Sequence, residues 1–403
     1  MTKVNFSENP TGPLSGVRVV DFTAVYSGPL AASILGDQGA DVIKVEPHAG
    51  DLMRRGLPKQ GGIASGYFTL NRNKRAICVD LQTEPGLKII KQLIATADVV
   101  MENFRPGVME RLGLGYDQFQ NTHAKLVYAS INGVGPTGPY SKRRVYDAVI
   151  QAISGFASLR PDGTPELVNS LVCDKITSLT AAEAVVAALY QAERSGVGQK
   201  VEVSMLDANL FFLWSDVMNN FTFRAEDTEE VPYADLSLFI RKTSDGYIAS
   251  MPVQQSEVDG AFRALELEEL IDDARFAEFE SRARNRSVLK DLTDVAYARF
   301  TTAEIAARLE RNDVPWSEVN LRHKVIDDPQ IKAMGALLEY DHPVIGPVRQ
   351  PRPAAQFART PSNMHQPTAF LGQHNSEVLS ELGYSETEIA SLVAQKILHT
   401  EMG

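Results

Sequence analysis

Short apolar runs alternate with amphipathic stretches along the first 215 residues. Six runs rich in β-branched residues predict strands: 17–22, 41–46, 76–81, 98–104, 126–131 and 199–205. Four stretches with apolar residues at helical spacing predict helices: 29–39, 86–97, 147–157 and 178–193. Repeated strand–helix units favour an α/β fold with a doubly wound, Rossmann-like parallel sheet. We expect chemistry in the loops at the carboxyl ends of its strands.

The pattern changes near residue 225. An acidic stretch (225–235) is followed by two apolar runs around Asp245-Gly246, which predict a hairpin. Helical segments rich in Glu, Arg and Ala continue to about residue 312. We therefore expect a large domain over 1–225 and a smaller α+β domain over 226–330.

The remaining segment, 331–403, is expected to return to the large domain. Its proline-rich part, 340–363, predicts extended chain. Two short amphipathic helices should follow, the first capped by Asn375 or Ser376 and the second by a capping box of Ser385 and Glu388.

Composition narrows the class of protein. With 403 residues, 44% hydrophobic and 23% charged, the chain is typical of soluble globular proteins. The sequence shows neither an apolar run of about 18 residues nor a signal-peptide core, so we expect no membrane span and a cytoplasmic location. The net charge of −11 argues against a nucleic-acid partner. Cys78 and Cys173 are expected to be buried free thiols, and no metal site is predicted, because clustered His and Cys ligands are lacking.

Three basic clusters stand out in this acidic chain. They are NRNKR (71–75), the pair Arg105 and Arg111, and KRR (142–144). Each could be an ordinary solvated surface. Three clusters within the first 150 residues nevertheless favour a bound polyanion.

A dinucleotide site is the first alternative for such a sheet, and Glu46 stands where a ribose-binding acid would. The turn after the first strand, TAVYSGP (23–29), has one glycine instead of the G-x-G-x-x-G loop. Pro29 is explained as a first helical residue. The turn therefore argues against nicotinamide binding.

Asp174 lies in SLVCDKITSL (170–179), just before a long helix rich in small residues. It can be read as a helix cap or as a nucleophile. Thr180 and Glu183 form a capping-box pattern that would start the helix six residues later, which speaks partly against a cap. The nearby loop NGVGPTGP (132–139) is either a turn cluster or a source of backbone N–H groups for an oxyanion.

Seven ordered stretches carry a family resemblance: PLSGVRVVDFT, SGPLAASILGDQGADVIKVE, GYFTLNRNKRAICVDL, DVVMENFRPGVMERLGLGYD, YDAVIQAISG, GVGQKVEVSMLDA and LGQHNSEVLSELGYSE. Together they closely resemble the class III CoA-transferases, over residues 13–386. The resemblance implies transfer of CoA from an acyl-CoA to a small carboxylic acid, with Asp174 as the nucleophile and CoA thioesters as substrates rather than bound cofactors. It also implies an interlocked homodimer.

The resemblance further implies a set of CoA-contacting residues: Tyr26, Ser27, Arg72, Lys74, Arg75, Asn103, Phe104, Arg111, Arg144 and Tyr146. For two of them a structural reading is also open: core packing for Phe104 and a turn at the strand end for Asn103. Asp147, beside Tyr146, fits an N-cap as well as a site role.

The chain departs from the formyl-CoA transferase pattern in three places. Tyr26 replaces a glutamine, Pro47-His48 replaces a nucleotide-binding arginine, and the small domain lacks a glycine run. These differences bear on which acid is used.

Two rival functions stay open. The racemase branch of the family needs a histidine where this chain has Tyr146, a poor base at neutral pH. A protein that binds acyl-CoA without chemistry would not need the carboxylate of Asp174.

Overall fold

The computed structural model describes residue 6 and residues 10–160, 162–225, 228 and 239–401. The chain divides into two compact units. The first comprises residues 1–222 and 335–403, and the second residues 223–334. Most of the acidic stretch 225–235 lies outside the described residues.

The strands are β1 (Arg18–Asp21), β2 (Asp41–Glu46), β3 (Lys59–Gln60), β4 (Ile63–Ala64), β5 (Lys74–Cys78), β6 (Val99–Glu102), β7 (Val127–Asn132), β8 (Ser158–Leu159), β9 (Pro165–Glu166), β10 (Lys200–Ser204), β11 (Ile240–Lys242), β12 (Tyr247–Ser250), β13 (Trp316–Glu318), β14 (Leu337–His342) and β15 (Gly346–Pro351). The helices are α1 (Ser27–Asp37), α2 (Ser65–Leu70), α3 (Glu84–Ile94), α4 (Val108–Arg111), α5 (Asp147–Ser154), α6 (Val172–Ser195), α7 (Met205–Trp214), α8 (Gln255–Ala264), α9 (Phe279–Arg284), α10 (Arg286–Tyr297), α11 (Thr302–Arg311), α12 (Pro329–Ala333), α13 (Asn375–Glu381) and α14 (Glu386–Ala394).

The six predicted strands form one parallel sheet in the order β10-β7-β6-β1-β2-β5. This is the doubly wound Rossmann order. From β1 the chain first builds the sheet outward through β2 and β5, and then continues on the other side of β1 with β6, so the switch point lies between β1 and β6. The predicted fold class is therefore confirmed. β5 begins at Lys74, inside the predicted basic cluster, because the cationic side chains there are buried in ion pairs.

Both faces of the sheet are covered by apolar layers. Neighbouring residues of β1 point to opposite faces: Val20 joins the core around α3, whereas Val19 joins the core around α1 and α6. Such double coverage explains why the strands read as continuous apolar runs rather than as alternating patterns.

Helix α6 packs against α1 through small residues, which let the two backbones approach closely. It begins at Val172, so the expected start near residue 178 is wrong. Thr180 lies inside the helix and donates its hydroxyl to the carbonyl of Ile176 at 3.0 Å. The capping-box pattern at Thr180 is therefore not used.

The second unit contains the antiparallel sheet β11-β12-β13 packed with α8, α10 and α11. The predicted hairpin at Asp245-Gly246 is confirmed: β11 and β12 pair on either side of residues 243–246. Ile248, Ile305 and Leu309 are fully buried in the core of this unit.

The end of the first unit differs in part from expectation. Residues 337–351 form the β14–β15 hairpin rather than a single extended segment. The capping box of Ser385 and Glu388 at α14 is confirmed. At α13 the predicted cap is wrong, because Asn375 accepts the backbone N–H of Cys78 at 2.9 Å and the N-cap residue is His374.

Candidate active site

A cavity of about 580 Å³ opens at the carboxyl ends of β1, β6, β7 and β10. Its walls are the loops after β1 (residues 24–27), after β6 (103–106) and after β7 (131–136), together with segment 141–146. Asp174 of α6 and Met205 of α7 complete the lining. The cavity therefore lies where the strand order reverses, the usual ligand position in this fold.

The loop between β1 and α1 has a strained backbone conformation that side-chain hydrogen bonds hold in place. Asn103 clamps Ala24 from both sides, accepting its N–H and donating to its carbonyl, each at 2.8 Å. Val25 has φ of +71°, which is unfavourable for a β-branched residue, and its N–H points at the carboxylate of Asp51. This geometry places Tyr26 and Ser27 at the cavity.

Four buried ionisable side chains lie beneath this loop, on the side away from the cavity. They are Asp21, Lys44, Asp51 and Lys74, named here the buried ion network. Lys44 Nζ lies 3.1 Å from Asp51 and donates to the carbonyl of Thr23 at 2.7 Å. Lys74 Nζ lies 2.9 Å from Asp21. Burial opposes ionisation of Asp21, but Lys74 and Lys44 outweigh it and lower its pKa. Burial lowers the pKa of Lys74 to about 8.

Asp174 lies in the first turn of α6 and is 9% exposed. The N-cap residue of α6 is Leu171, whose own side chain makes no capping hydrogen bond, so Asp174 is not the N-cap. Ser27 donates hydrogen bonds to its carboxylate from both its hydroxyl and its backbone N–H. Burial, and then the nearby Asp147, raise the pKa of Asp174 to about 6. These effects outweigh the favourable helix N-terminus, yet the group is mostly ionised at pH 7.

Asp147 lies in the first turn of α5 and is buried. It accepts the backbone N–H of Asp174 at 2.9 Å and the amide of Gln151 at 2.6 Å. Asp147 is thus neither the N-cap of its own helix, which is Tyr146, nor a lining residue. It satisfies a backbone N–H of α6 instead.

Four exposed cations line the cavity: Arg105, Lys142, Arg143 and Arg144, named here the cationic rim. None of them forms an ion pair with another described residue. The guanidinium of Arg143 stacks 3.7 Å from the ring centroid of Tyr140. Of these four residues, the family resemblance implied a role only for Arg144. The basic residues at 105 and 142–144 were nevertheless visible as clusters in the sequence.

Comparison with known proteins decides the family. The model of CoA-transferase family III matches residues 14–375. This chain belongs to CoA-transferase family III. It is 33% identical to human succinyl-CoA:glutarate CoA-transferase, over 97% of this chain and 91% of that one. It is 30% identical to the formyl-CoA:oxalate CoA-transferase of Rhodopseudomonas palustris, over 95% and 96%.

Solved structures agree with this membership. The crystal structure of Rv3272 from Mycobacterium tuberculosis matches with a TM-score of 0.80 at 31% identity, covering 92% of this chain and all of that one. A CAIB/BAIF family protein from Brucella suis matches with a TM-score of 0.78 at 30% identity, over 92% and 100%.

The structure of this family III CoA-transferase brings together only some of the residues that the resemblance implied. Asp174 shares the cavity lining with Tyr26, Ser27, Asn103, Phe104, Arg144 and Tyr146. Phe104 also packs against the core beside α3, so the core-packing reading holds, and its contact with CoA stays a prediction. Arg111 is exposed and lies outside the cavity lining.

The predicted nucleotide contacts in NRNKR lie away from the cavity. Arg72 binds Asp37 through two nitrogens, at 2.9 and 2.6 Å. Arg75 binds Asp41, and at its other side the α13 carboxylates. Lys74 belongs to the buried ion network. This arrangement does not support contact with CoA, because carboxylates already occupy all three cations.

Two glycines of the glycine-rich loop 132–139 have structural roles. Gly135, with φ of +84°, donates its N–H to the side chain of Asn132 at 2.6 Å. A Cβ on Gly133 would lie 2.0 Å from the side chain of Val145. Close packing therefore explains one glycine and a turn explains the other.

Other features bear on alternative chemistry. The two cysteines are buried free thiols, as predicted, and burial raises the pKa of each to about 12. Among the described residues, no group of His, Cys, Asp and Glu has a metal-binding arrangement. Within the same part of the chain, no helix is long and apolar enough to cross a membrane.

Proposed function

We propose that this protein transfers CoA from an acyl-CoA to a free carboxylic acid, with Asp174 as the covalent nucleophile. The observation that carries the proposal is the position of this carboxylate, in the cavity at the switch point of the sheet. Its pKa of about 6 makes it a stronger base than an ordinary aspartate, while leaving it mostly ionised at neutral pH.

The first half of the reaction loads CoA onto the enzyme. The carboxylate of Asp174 attacks the thioester carbonyl, forming a mixed anhydride and releasing CoA thiolate. The thiolate then attacks the aspartyl carbonyl of the anhydride. The donor acid leaves as a carboxylate, and an aspartyl-CoA thioester remains.

The second half repeats these steps with the acceptor. The acceptor carboxylate attacks the aspartyl-CoA thioester, forming a new anhydride and releasing the thiolate. Attack of the thiolate on the acceptor's own carbonyl gives the new acyl-CoA and restores Asp174. Atoms and charges balance without a metal or an external cofactor.

The cavity offers partners for CoA. The cationic rim supplies positive charge for the phosphates of the nucleotide. Phe104 and Tyr146 offer apolar surface for the pantetheine arm. Ser27, which already binds the carboxylate of Asp174, orients it toward the thioester. In this proposal Arg72, Lys74 and Arg75 shape the fold instead of binding CoA.

We further propose short dicarboxylic acids as the acids exchanged, with succinyl-CoA as a donor. The support is the name of the human relative, a succinyl-CoA:glutarate CoA-transferase. A panel of dicarboxylic and hydroxy acids, tested with succinyl-CoA and acetyl-CoA, measures this preference. Exclusive use of acetyl-CoA would contradict it.

A cytoplasmic homodimer, interlocked as the resemblance implies, completes the proposal. Phe211, Phe212 and Trp214 of α7 are exposed in the single chain, which supports a protein partner at that face. Sedimentation equilibrium of the purified protein tests the dimer.

Racemisation is not favoured. No histidine is among the described residues that line the cavity, and Tyr146 occupies the place of the racemase histidine. Among the described lining residues, Asp174 therefore has no histidine beside it as the second proton-transferring group that inversion of a carbon needs.

Asp174→Asn and Asp174→Ala test the nucleophile. We expect exchange of CoA between free acids to fall about a thousandfold or more. Wild-type protein incubated with an acyl-CoA and hydroxylamine should be inactivated through an adduct on this residue, found by mass spectrometry of its peptide. Full exchange by either variant would overturn the proposal.

A further inference from the structure

Helix α5 holds the start of α6 through two buried side chains, Asp147 and Gln151. One carboxylate oxygen of Asp147 accepts the backbone N–H of Asp174 at 2.9 Å. Its other oxygen accepts the side-chain amide of Gln151 at 2.6 Å. The residue that carries Asp174 into the cavity is thus fixed by a carboxylate from a different helix.

Gln151 fixes the segment that leads into α6. Its amide nitrogen also donates to the carbonyl of Ser170 at 2.9 Å and to that of Val168 at 3.3 Å. Its amide oxygen accepts the N–H of Val168 at 2.9 Å. Gln151 therefore orients Asp147 and anchors the approach to Asp174 at the same time.

Asp147 is a buried carboxyl side chain that has no cationic partner among the described residues. It is 2% exposed, and no ion pair joins it to a cation in the described part of the chain. A carboxylate buried in this way is costly, and an asparagine would accept the N–H of Asp174 at lower cost. A carboxylate at this position is therefore more than helix capping requires.

We propose that Asp147, oriented by Gln151, is a positioning residue that fixes Asp174 and opposes its negative charge. The inference rests on the proposed function, because it assumes that Asp174 is acylated. Both covalent intermediates are neutral at Asp174, so repulsion between the two carboxylates exists in the resting enzyme and disappears on acylation. Asp147 thereby favours attack without touching the substrate.

The surroundings of Asp174 determine how its ionisation responds. Burial and Asp147 raise its pKa, while the hydrogen bonds from Ser27 and the charge of Lys175 lower it. Tyr26, from the same loop as Ser27, and Cys173, from α6, are neutral near pH 7, since the pKa of each is raised. The cationic rim lines the same cavity. Asp147 is therefore the one negative charge in this set that a single substitution removes.

Asp147→Asn removes the charge and keeps an acceptor for the backbone N–H. We expect the acidic limb of kcat/KM to move to lower pH by about one unit. We expect kcat to fall up to about tenfold with little change in KM for acyl-CoA, because Asp147 does not line the cavity. Glu193→Gln is the matched control, because it removes one negative charge at an exposed position near the end of α6. It should leave the pH dependence of kcat/KM unchanged.

Asp147→Ala removes the acceptor as well. It should show the same pH shift and a further loss of kcat, since the first turn of α6 is no longer fixed. If Asp147 were only a helix cap, Asp147→Asn would keep the wild-type pH profile and only Asp147→Ala would lose activity. That outcome overturns the inference.

A readout independent of activity separates the two proposals. Carbon-13 NMR of aspartate-labelled protein follows the titration of Asp174, assigned by its absence in Asp174→Asn. The midpoint should fall in Asp147→Asn. An unchanged midpoint refutes the role of Asp147 even if Asp174 is essential. Full CoA exchange by Asp174→Asn refutes the proposed function whatever the titration shows.

Discussion

The buried ion network and the candidate active-site cavity lie on either side of one loop, and buried carboxylates belong to both regions. In the network, Asp21 faces Lys74 and Lys44, which lower its pKa against the effect of burial. At the cavity, burial, and then the like charge of Asp147 behind the lining, raise the pKa of Asp174. Burial raises the pKa of both carboxylates, so the sign of the neighbouring charge accounts for the opposite net shifts of Asp21 and Asp174.

Two of the three basic clusters show a similar contrast. NRNKR contributes cations whose carboxylate partners are already in place, such as Asp37 for Arg72 and Asp21 for Lys74. KRR contributes exposed cations that the described residues leave without ion pairs. A cluster can bind a substrate anion only when the fold has not already neutralised it.

The largest expected effect comes from Lys74→Met in the buried ion network. Loss of the ammonium group leaves Asp21 buried without its hydrogen-bonded ion-pair partner. It also removes the hydrogen bonds to the Pro29 carbonyl and to the Asn71 side chain. We expect the free energy of unfolding to fall by about 3–5 kcal/mol, measured by guanidinium denaturation.

Lys142→Met in the cationic rim is the matched control, and should change stability by no more than about 0.5 kcal/mol. Asp21→Asn combined with Lys74→Met should recover part of the loss, because the buried carboxylate is then gone too. Equal losses from Lys74→Met and Lys142→Met would show that the two regions do not differ.

The second prediction is a gain in the free energy of unfolding, expected for Asp174→Asn. The pKa of Asp174 is about 6 in the folded protein and 3.8 ordinarily, so the folded state holds more protons between these values. Stability therefore falls as pH rises through this window, and Asp174→Asn should remove the cost. We expect a gain of up to roughly 3 kcal/mol at pH 8 that vanishes near pH 4, measured by denaturation across pH. A gain independent of pH would contradict this reasoning.

Much of this fold could be predicted from the chain alone. All six sheet strands followed from β-branched runs, since burial on both faces leaves an unbroken apolar signal. The ordered motifs pointed to the family and to Asp174, which the structure places in the cavity.

What could not be predicted depends on contacts between distant segments. Arg75 is paired with Glu377 and Glu381, which lie about 300 positions further along the chain. Because these partners are not visible in the local sequence, the NRNKR cluster resembled a binding site for an anionic ligand. The start of α6 was misplaced for a similar reason. Thr180 and Glu183 match a local cap, but the N–H of Asp174 is satisfied from α5. Tertiary partners are absent from a local pattern.

The smallest expected effect concerns the cationic rim. Arg144→Gln removes one exposed charge at the cavity, so we expect KM for acyl-CoA to rise about tenfold, or about 1.4 kcal/mol, with kcat and stability unchanged. Initial rates at low and high salt check the cause. Salt should raise the wild-type KM more than that of the variant, because screening acts on the charge that the variant lacks.

Lys125→Gln is the control for this change, since Lys125 is equally exposed but lies outside the cavity lining and near Glu193. Its KM and salt response should match the wild type. If Lys125→Gln shifts KM as much as Arg144→Gln does, the effect reflects the net charge of the protein. The cationic rim would then be as unspecific toward CoA as any other surface cation, and the contrast with NRNKR would lose its functional meaning.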